Sequence, residues 1–178
     1  FSLEEIVIPS SVTQIDDYAF NGCSNLKKIN INSSKIVIGN SCFSGCCSLV
    51  DVYLPSSLTL FNEYLFCECR LLAKIDIPKS LKEIGNFCFR SNLSLTKIII
   101  PSSVTKIGKC AFKYCSLLKE IIIPQYVYFI GEEAFCSCSS LKTVQFNSKS
   151  VLKSIENKTF QECTSLKEIQ IPSFVTKI

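Results

Sequence analysis

Twelve cysteines are the residues of greatest chemical potential in this 178-residue chain. Thiolates act as nucleophiles and metal ligands, and paired thiols form disulfides. Placement decides among these uses. Cys23, Cys46, Cys69, Cys115, Cys138 and Cys163 each fall three residues after a phenylalanine, and Asn92 fills that slot after Phe89. A slot shared by Cys and Asn suits a small side chain facing the core beside backbone polar groups. Asn hydrogen-bonds such groups, whereas Cys does so weakly while packing as a small hydrophobe. Of the other six, Cys42 and Cys88 directly precede a phenylalanine and Cys110 lies one position earlier. Cys67 and Cys136 directly follow one, and Cys47 follows Cys46. Burial is the expected role of Cys42 and Cys88.

Other catalytic chemistry finds little support. The chain has no histidine, which removes Ser-His, Cys-His and His-metal mechanisms within it. No phosphate-cradling glycine loop and no G-x-S-x-G string occurs. Glu4/Glu5, Asp16/Asp17 and Glu132/Glu133 read as surface pairs, not as catalytic dyads. Asn32, Asn92 and Asn157 begin N-x-[ST] strings, but Asn92 occupies the buried slot and is not expected to carry a glycan. The expectation is a chain that is not an enzyme, with no catalytic, cofactor-binding or metal residues and no cofactor.

These residues are positioned by a repeat. Leu3, Leu26, Leu49, Leu72, Leu95, Leu118, Leu141 and Leu166 are separated by six steps of 23 residues and a last step of 25. The two extra residues fall between Asn147 and Lys153. After each leading Leu, apolar residues return three and five positions later, as in Ile98 and Ile100. That alternation predicts a short strand with one buried face. Pro ends the strand in six of eight units, since it cannot donate to a ladder. A second apolar pair follows, such as Val104 and Ile107, often with Gly next. Phe20, Phe43, Phe66, Phe89, Phe112, Phe135 and Phe160 come next, on a tight turn or a single helical turn that inserts the ring into the core. One such unit cannot bury its own apolar face, but stacked units cover each other.

The repeat sharpens the cysteine reading. The C-x-C pairs Cys67/Cys69 and Cys136/Cys138 lie three units apart, ~14 Å at the strand spacing, and cannot share one ion. Equivalent cysteines in adjacent units have parallel Cβ vectors, so their Cβ atoms stay ~4.8 Å apart where a disulfide wants about 3.8 Å. Free thiols and no metal are expected.

The unit L-x-x-I-x-I-P-S-S-V-T-x-I-G-x-x-A-F-x-x-C-S-x resembles the BspA-like, or Treponema-type, leucine-rich repeat of bacterial and protist surface proteins. Residues 95–117 carry the clearest copy, with Ala111, Phe112 and Cys115 in the A-F-x-x-C motif. Departures are local: Asn32 and Asn147 replace Pro, Asn92 replaces Cys, and Gln125-Tyr126 replaces Ser-Ser. The resemblance implies a leucine-rich-repeat solenoid, a right-handed curved stack of ~23-residue coils with a parallel β-sheet and turns or helical turns opposite. It implies residues 1–178 as one array of seven complete repeats from Leu3 plus a truncated eighth, in a longer protein; the missing Met and mid-unit ends fit that expectation. It further implies a non-enzymatic protein-binding module of a cell-surface adhesin or antigen, with a protein or glycoprotein ligand. An intracellular scaffold of the same fold, or the repeat region of a larger enzyme, is the alternative.

Composition bounds the partners. Hydrophobic residues make up 47% and charged residues 19%, which excludes a disordered chain. A net charge of +4 gives no clustered basic footprint for nucleic acid. No apolar run reaches the ~20 residues of a membrane helix, so no membrane insertion by this segment is expected. Binding residues are sought at the variable outward strand positions. The residue four after each leading Leu is Val7, Asn30, Tyr53, Asp76, Ile99, Ile122, Gln145 or Gln170. Tyr53, Asp76, Ile99 and Ile122 form one candidate partner-binding strip, with Lys119, Lys142 and Lys167 aligned one residue after their leading Leu. Tyr126, Tyr128 and Phe129, at slots that are otherwise polar, form a second candidate.

Overall fold

The computed structural model describes residues 2–178. The strands among them are β1 (Glu5–Ile8), β2 (Gln14–Ile15), β3 (Lys28–Ile31), β4 (Val37–Ile38), β5 (Asp51–Tyr53), β6 (Leu60–Phe61), β7 (Glu83–Ile84), β8 (Lys106–Ile107), β9 (Glu120–Ile123), β10 (Phe129–Ile130) and β11 (Thr143–Phe146). No helix forms among the described residues. Every strand pairing is parallel and joins residues 23 apart: Ile6 faces Ile29, Ile84 faces Ile107 and Ile121 faces Val144. The chain is therefore a parallel β-solenoid whose repeat length sets its register.

The L-x-x-I-x-I segments build one side. β1, β3 and β5 pair in order, and β9 pairs with β11. Residues 74–77 and 97–100 keep the phase but form no strand, which splits the expected continuous sheet in two. Their inward side chains remain buried, Ile75, Ile98 and Ile100 among them. The two-residue strands β6, β7, β8 and β10 form a second ladder, with β2 and β4 pairing separately. These pieces are short because a close approach follows at once. A Cβ on Gly108 would lie 2.6 Å from the backbone of Gly85 and Asn86 in the preceding coil, so glycine lets the coils close up here.

The third side is a ladder of turns, and it settles the choice between a tight turn and a helical turn. Around Phe112, the amides of Cys110, Phe112 and Tyr114 donate to Glu132, Ala134 and Cys136 of the next coil at 2.8–3.0 Å. The interleaved amides of Ala111, Lys113 and Cys115 bond within the coil to Gly108, Cys110 and Phe112. The backbone alternates to achieve this. The residues two before and two after the motif Phe have φ near +60°, as in Cys110 at 53° and Tyr114 at 65°. Only Gly22 and Gly45 fill such sites with glycine. Across the insertion, Glu133 donates to Asn157, 24 residues on, where Cys110 reaches 22. The two extra residues are thus absorbed upstream and the turn ladder continues unbroken.

Packing follows from the stacking. The seven motif phenylalanines form one column with centroids 5.2–5.8 Å apart and planes within 15° of parallel, inside the favourable range for aromatic pairs. Phe43 to Phe135 are fully buried. Phe20 and Phe160 are only half-buried, contrary to the expectation that every motif ring is buried, because each has a stacking partner on one side alone. The leading leucines Leu26 to Leu141 line the same core, with no exposed surface.

Candidate binding surface

The cysteine column is structural. Cys46, Cys69, Cys115, Cys138 and Cys163 donate from Sγ to the carbonyls of Phe20, Phe43, Phe89, Phe112 and Phe135 at 3.2–3.3 Å. Each thiol thereby ties its coil to the motif phenylalanine of the previous one. Asn92 Nδ2 makes the same bond to Phe66 at 2.9 Å, so the Cys-Asn exchange is explained by one shared acceptor. Burial pushes the Cys42, Cys46 and Cys115 thiols up to about 12 and those of Cys67 and Cys163 to about 11. Cys69, Cys88 and Cys138 are raised by the same cause. Thiols held protonated in this way are poor nucleophiles and poor ligands. All twelve cysteines are free thiols in this structure.

Surface chemistry therefore lies on the outward positions. The strip residues are exposed as their phase requires. Ile99 is 72% exposed and Ile122 58%, large values for apolar residues on the outward side of these segments, and Tyr53 and Asp76 are exposed with them. Asp76 and Ile99 line one open concavity with Lys74, Lys79 and Lys97. Tyr53 pairs in register with Asn30, and Ile122 with Gln145. Tyr126 and Tyr128 are more than half exposed, while Phe129 is half-buried. Tyr126 lies within the turn closed by the Val127 amide on the Pro124 carbonyl, and Tyr128 and Phe129 follow it, the Tyr128 amide donating to the Thr105 carbonyl at the start of the second ladder. The two candidate surfaces thus occupy different sides of the coil. The Val151 amide of the insertion bonds to the Gln125 carbonyl beside the aromatic group.

Two features were not read from the sequence. Lys27–Glu4, Lys28–Glu5, Lys97–Glu120, Lys106–Glu83 and Lys109–Glu132 are ion pairs between residues 23 apart. Of the acidic residues that looked like lone surface pairs, Glu4, Glu5, Glu132 and Glu133 are each half of a cross-coil bridge, visible only when one unit is laid over the next, while Asp17 accepts from the Asn40 amide of the next coil. The turn ladder also carries an aromatic-cationic edge. Tyr64 stacks on Phe87 at 4.6 Å, and the Arg90 guanidinium lies 5.8 Å from the Tyr114 ring centre. Lys113 approaches the same ring at 5.2 Å and pairs with Glu133, whose carboxyl it holds below the usual range.

A solenoid with 23-residue coils, a stacked Phe column and a Cys/Asn column facing backbone carbonyls defines a particular class of leucine-rich repeat. Residues 1–119 and 111–178 match the family described as BspA type leucine rich repeat region, and the chain belongs to that family. It is, in that sense, a protein-interaction repeat module. Among solved structures, the Treponema pallidum leucine rich repeat protein is 29% identical, with a TM-score of 0.84 over 94% of this chain and 80% of that one. A leucine rich cell surface protein from Faecalibacterium prausnitzii is 33% identical, with a TM-score of 0.75 over 83% of this chain; the match spans 39% of the longer protein. The pneumococcal vaccine antigen PcpA, at 23% identity and a TM-score of 0.56, shares the fold over 98% of this chain and 57% of its own. No curated protein gives a match.

Proposed function

We propose that the chain is one continuous, non-catalytic leucine-rich-repeat array within a longer cell-surface protein, and that it binds a protein or glycoprotein ligand through a lateral face. The observation that carries this reading is the pair Ile99 and Ile122, which present large apolar side chains to solvent while the core is filled from the opposite face of the same segments. Exposed apolar groups of this kind, with a tyrosine nearby, have the composition of an interface centre. The surface setting is supported by the cell-surface description of the Faecalibacterium relative. Tyr53, Asp76, Ile99 and Ile122 form the favoured face, and Tyr126, Tyr128 and Phe129 the second.

The test uses a panel of purified extracellular and secreted proteins, with glycosylated and deglycosylated forms of each. Binding is compared for the parent chain, for Ile99→Lys with Ile122→Lys, and for Tyr126→Ser with Phe129→Lys. Loss of about 2 kcal/mol or more in the first folded variant supports the strand face. Unchanged binding in both variants overturns both faces.

A further inference from the structure

Charge on this solenoid is often paired across adjacent coils, while like charges stack at Lys74/Lys97, at Arg90/Lys113 and along one longer row. A residue and its equivalent one unit on are neighbours in adjacent coils, and five such pairs place Lys opposite Glu. Lys119, Lys142 and Lys167 instead place three positive charges in the same slot of three successive coils. The Lys142 amide donates to the Lys119 carbonyl at 2.9 Å, and Lys142 and Lys167 line one concavity together with Gln145, Gln170 and Glu168. All three lysines are exposed, and among the described residues none forms an ion pair with a carboxylate. The nearest acidic residue in sequence to Lys119, Glu120, is engaged by Lys97 at 3.1 Å. Like charges held close on adjacent coils repel one another. The chain carries that cost here over three coils, whereas at the shorter like-charged steps Lys97 is paired with Glu120 and Lys113 with Glu133.

Ile122 lies three residues after Lys119 in the first of these units, and Ile99 holds the equivalent position in the unit before it. We infer that the lysine row and the isoleucine pair together bind an acidic polypeptide segment in which carboxylates alternate with apolar side chains. The inference rests on the strand-face reading above and supplies the chemistry of its partner. Carboxylates would neutralise Lys119, Lys142 and Lys167, and apolar side chains would cover Ile99 and Ile122. A sulfated polysaccharide answers only the first need, so a polypeptide is favoured.

The probe is a labelled synthetic peptide alternating Glu with Leu and Val, measured beside its Gln isostere and beside heparin. The acidic peptide is expected to bind, to weaken steeply between low and about 0.3 M salt, and to exceed the Gln peptide by tenfold or more. Lys142→Glu should weaken it at least tenfold without lowering the unfolding temperature, since that change restores alternating signs. Ile99→Ser with Ile122→Ser should weaken both peptides. Equal binding of the two peptides, or an unchanged Lys142→Glu variant, overturns the acidic partner while an isoleucine effect leaves the strand face standing. Binding of heparin without the peptide, or of neither, also overturns it.

Discussion

Asn92 donates its side-chain amide to the Phe66 carbonyl at 2.9 Å, in the slot where five other coils donate a cysteine thiol. The fit is incomplete. Asn92 is fully buried and its Oδ1 has no hydrogen-bond partner. An orphaned buried acceptor costs about 1–3 kcal/mol, whereas the bond that Nδ2 makes is worth about 1 kcal/mol net. Asn92→Cys removes the orphan and keeps a weaker donor at nearly the same volume. Its urea midpoint is expected to rise, by the equivalent of about 1 kcal/mol, and a fall would show that the amide bond dominates.

The Phe column gives a graded prediction. Phe112 is clamped between Phe89 at 5.4 Å and Phe135 at 5.2 Å and is fully buried. Phe112→Ala should cost about 3–5 kcal/mol. Phe160 has one stacking partner, Phe135 at 5.7 Å, and retains some exposure. Phe160→Ala should cost clearly less, and equal losses in chemical denaturation would argue against the stack as the organising element.

How legible was this architecture? The periodic recurrence of Leu95, Ile98, Ile100, Val104, Ile107 and Phe112 makes the strand, the corner and the inward ring readable, since apolar spacing reports which face is buried. Cys and Asn in one slot likewise point to a polar backbone neighbour, which proves to be the carbonyl of the previous motif phenylalanine. The turn ladder was much less accessible. Tyr64, Phe87 and Glu133 adopt φ of 57° although none favours that region, because cross-coil bonds impose it regardless of residue type. Gly22 and Gly45, two residues after Phe20 and Phe43, were the available signal. The binding strip is legible only as exposure, since partner identity is not encoded in the periodicity of the scaffold.

Those imposed conformations predict a simple stabilisation. Lys158 is exposed with φ 58°, two residues before Phe160. The left-handed region costs an L-residue about 1–2 kcal/mol, partly offset in glycine by about 0.5–1 kcal/mol of extra chain entropy. Lys158→Gly should therefore raise stability by roughly 0.5–1 kcal/mol, while Lys158→Val should lower it. Thermal unfolding of the two variants against the parent decides the sign.

The buried thiols make stability fall in alkali, and the direction follows from proton counting. Burial raises Cys42, Cys46 and Cys115 from the usual 9.0 to about 12. Between those values the unfolded chain has released the proton and the folded chain still holds it, so rising pH favours unfolding. Their contribution is complete below pH 9 and is lost as pH climbs from there towards 12. Each such thiol adds a slope of about 1.4 kcal/mol per pH unit within the window. Cys115→Asn, which copies the residue found at position 92, removes one titrating group while keeping a donor to the Phe89 carbonyl. Its stability measured between pH 9 and 10.5 should decline less steeply than the parent's, by about that amount. A matching slope would mean that Cys115 ionises in the folded chain as readily as in the unfolded one. Thiol counts after denaturation, with and without reductant, should agree at twelve. A gain on reduction would place a disulfide where the column now sets thiol against carbonyl.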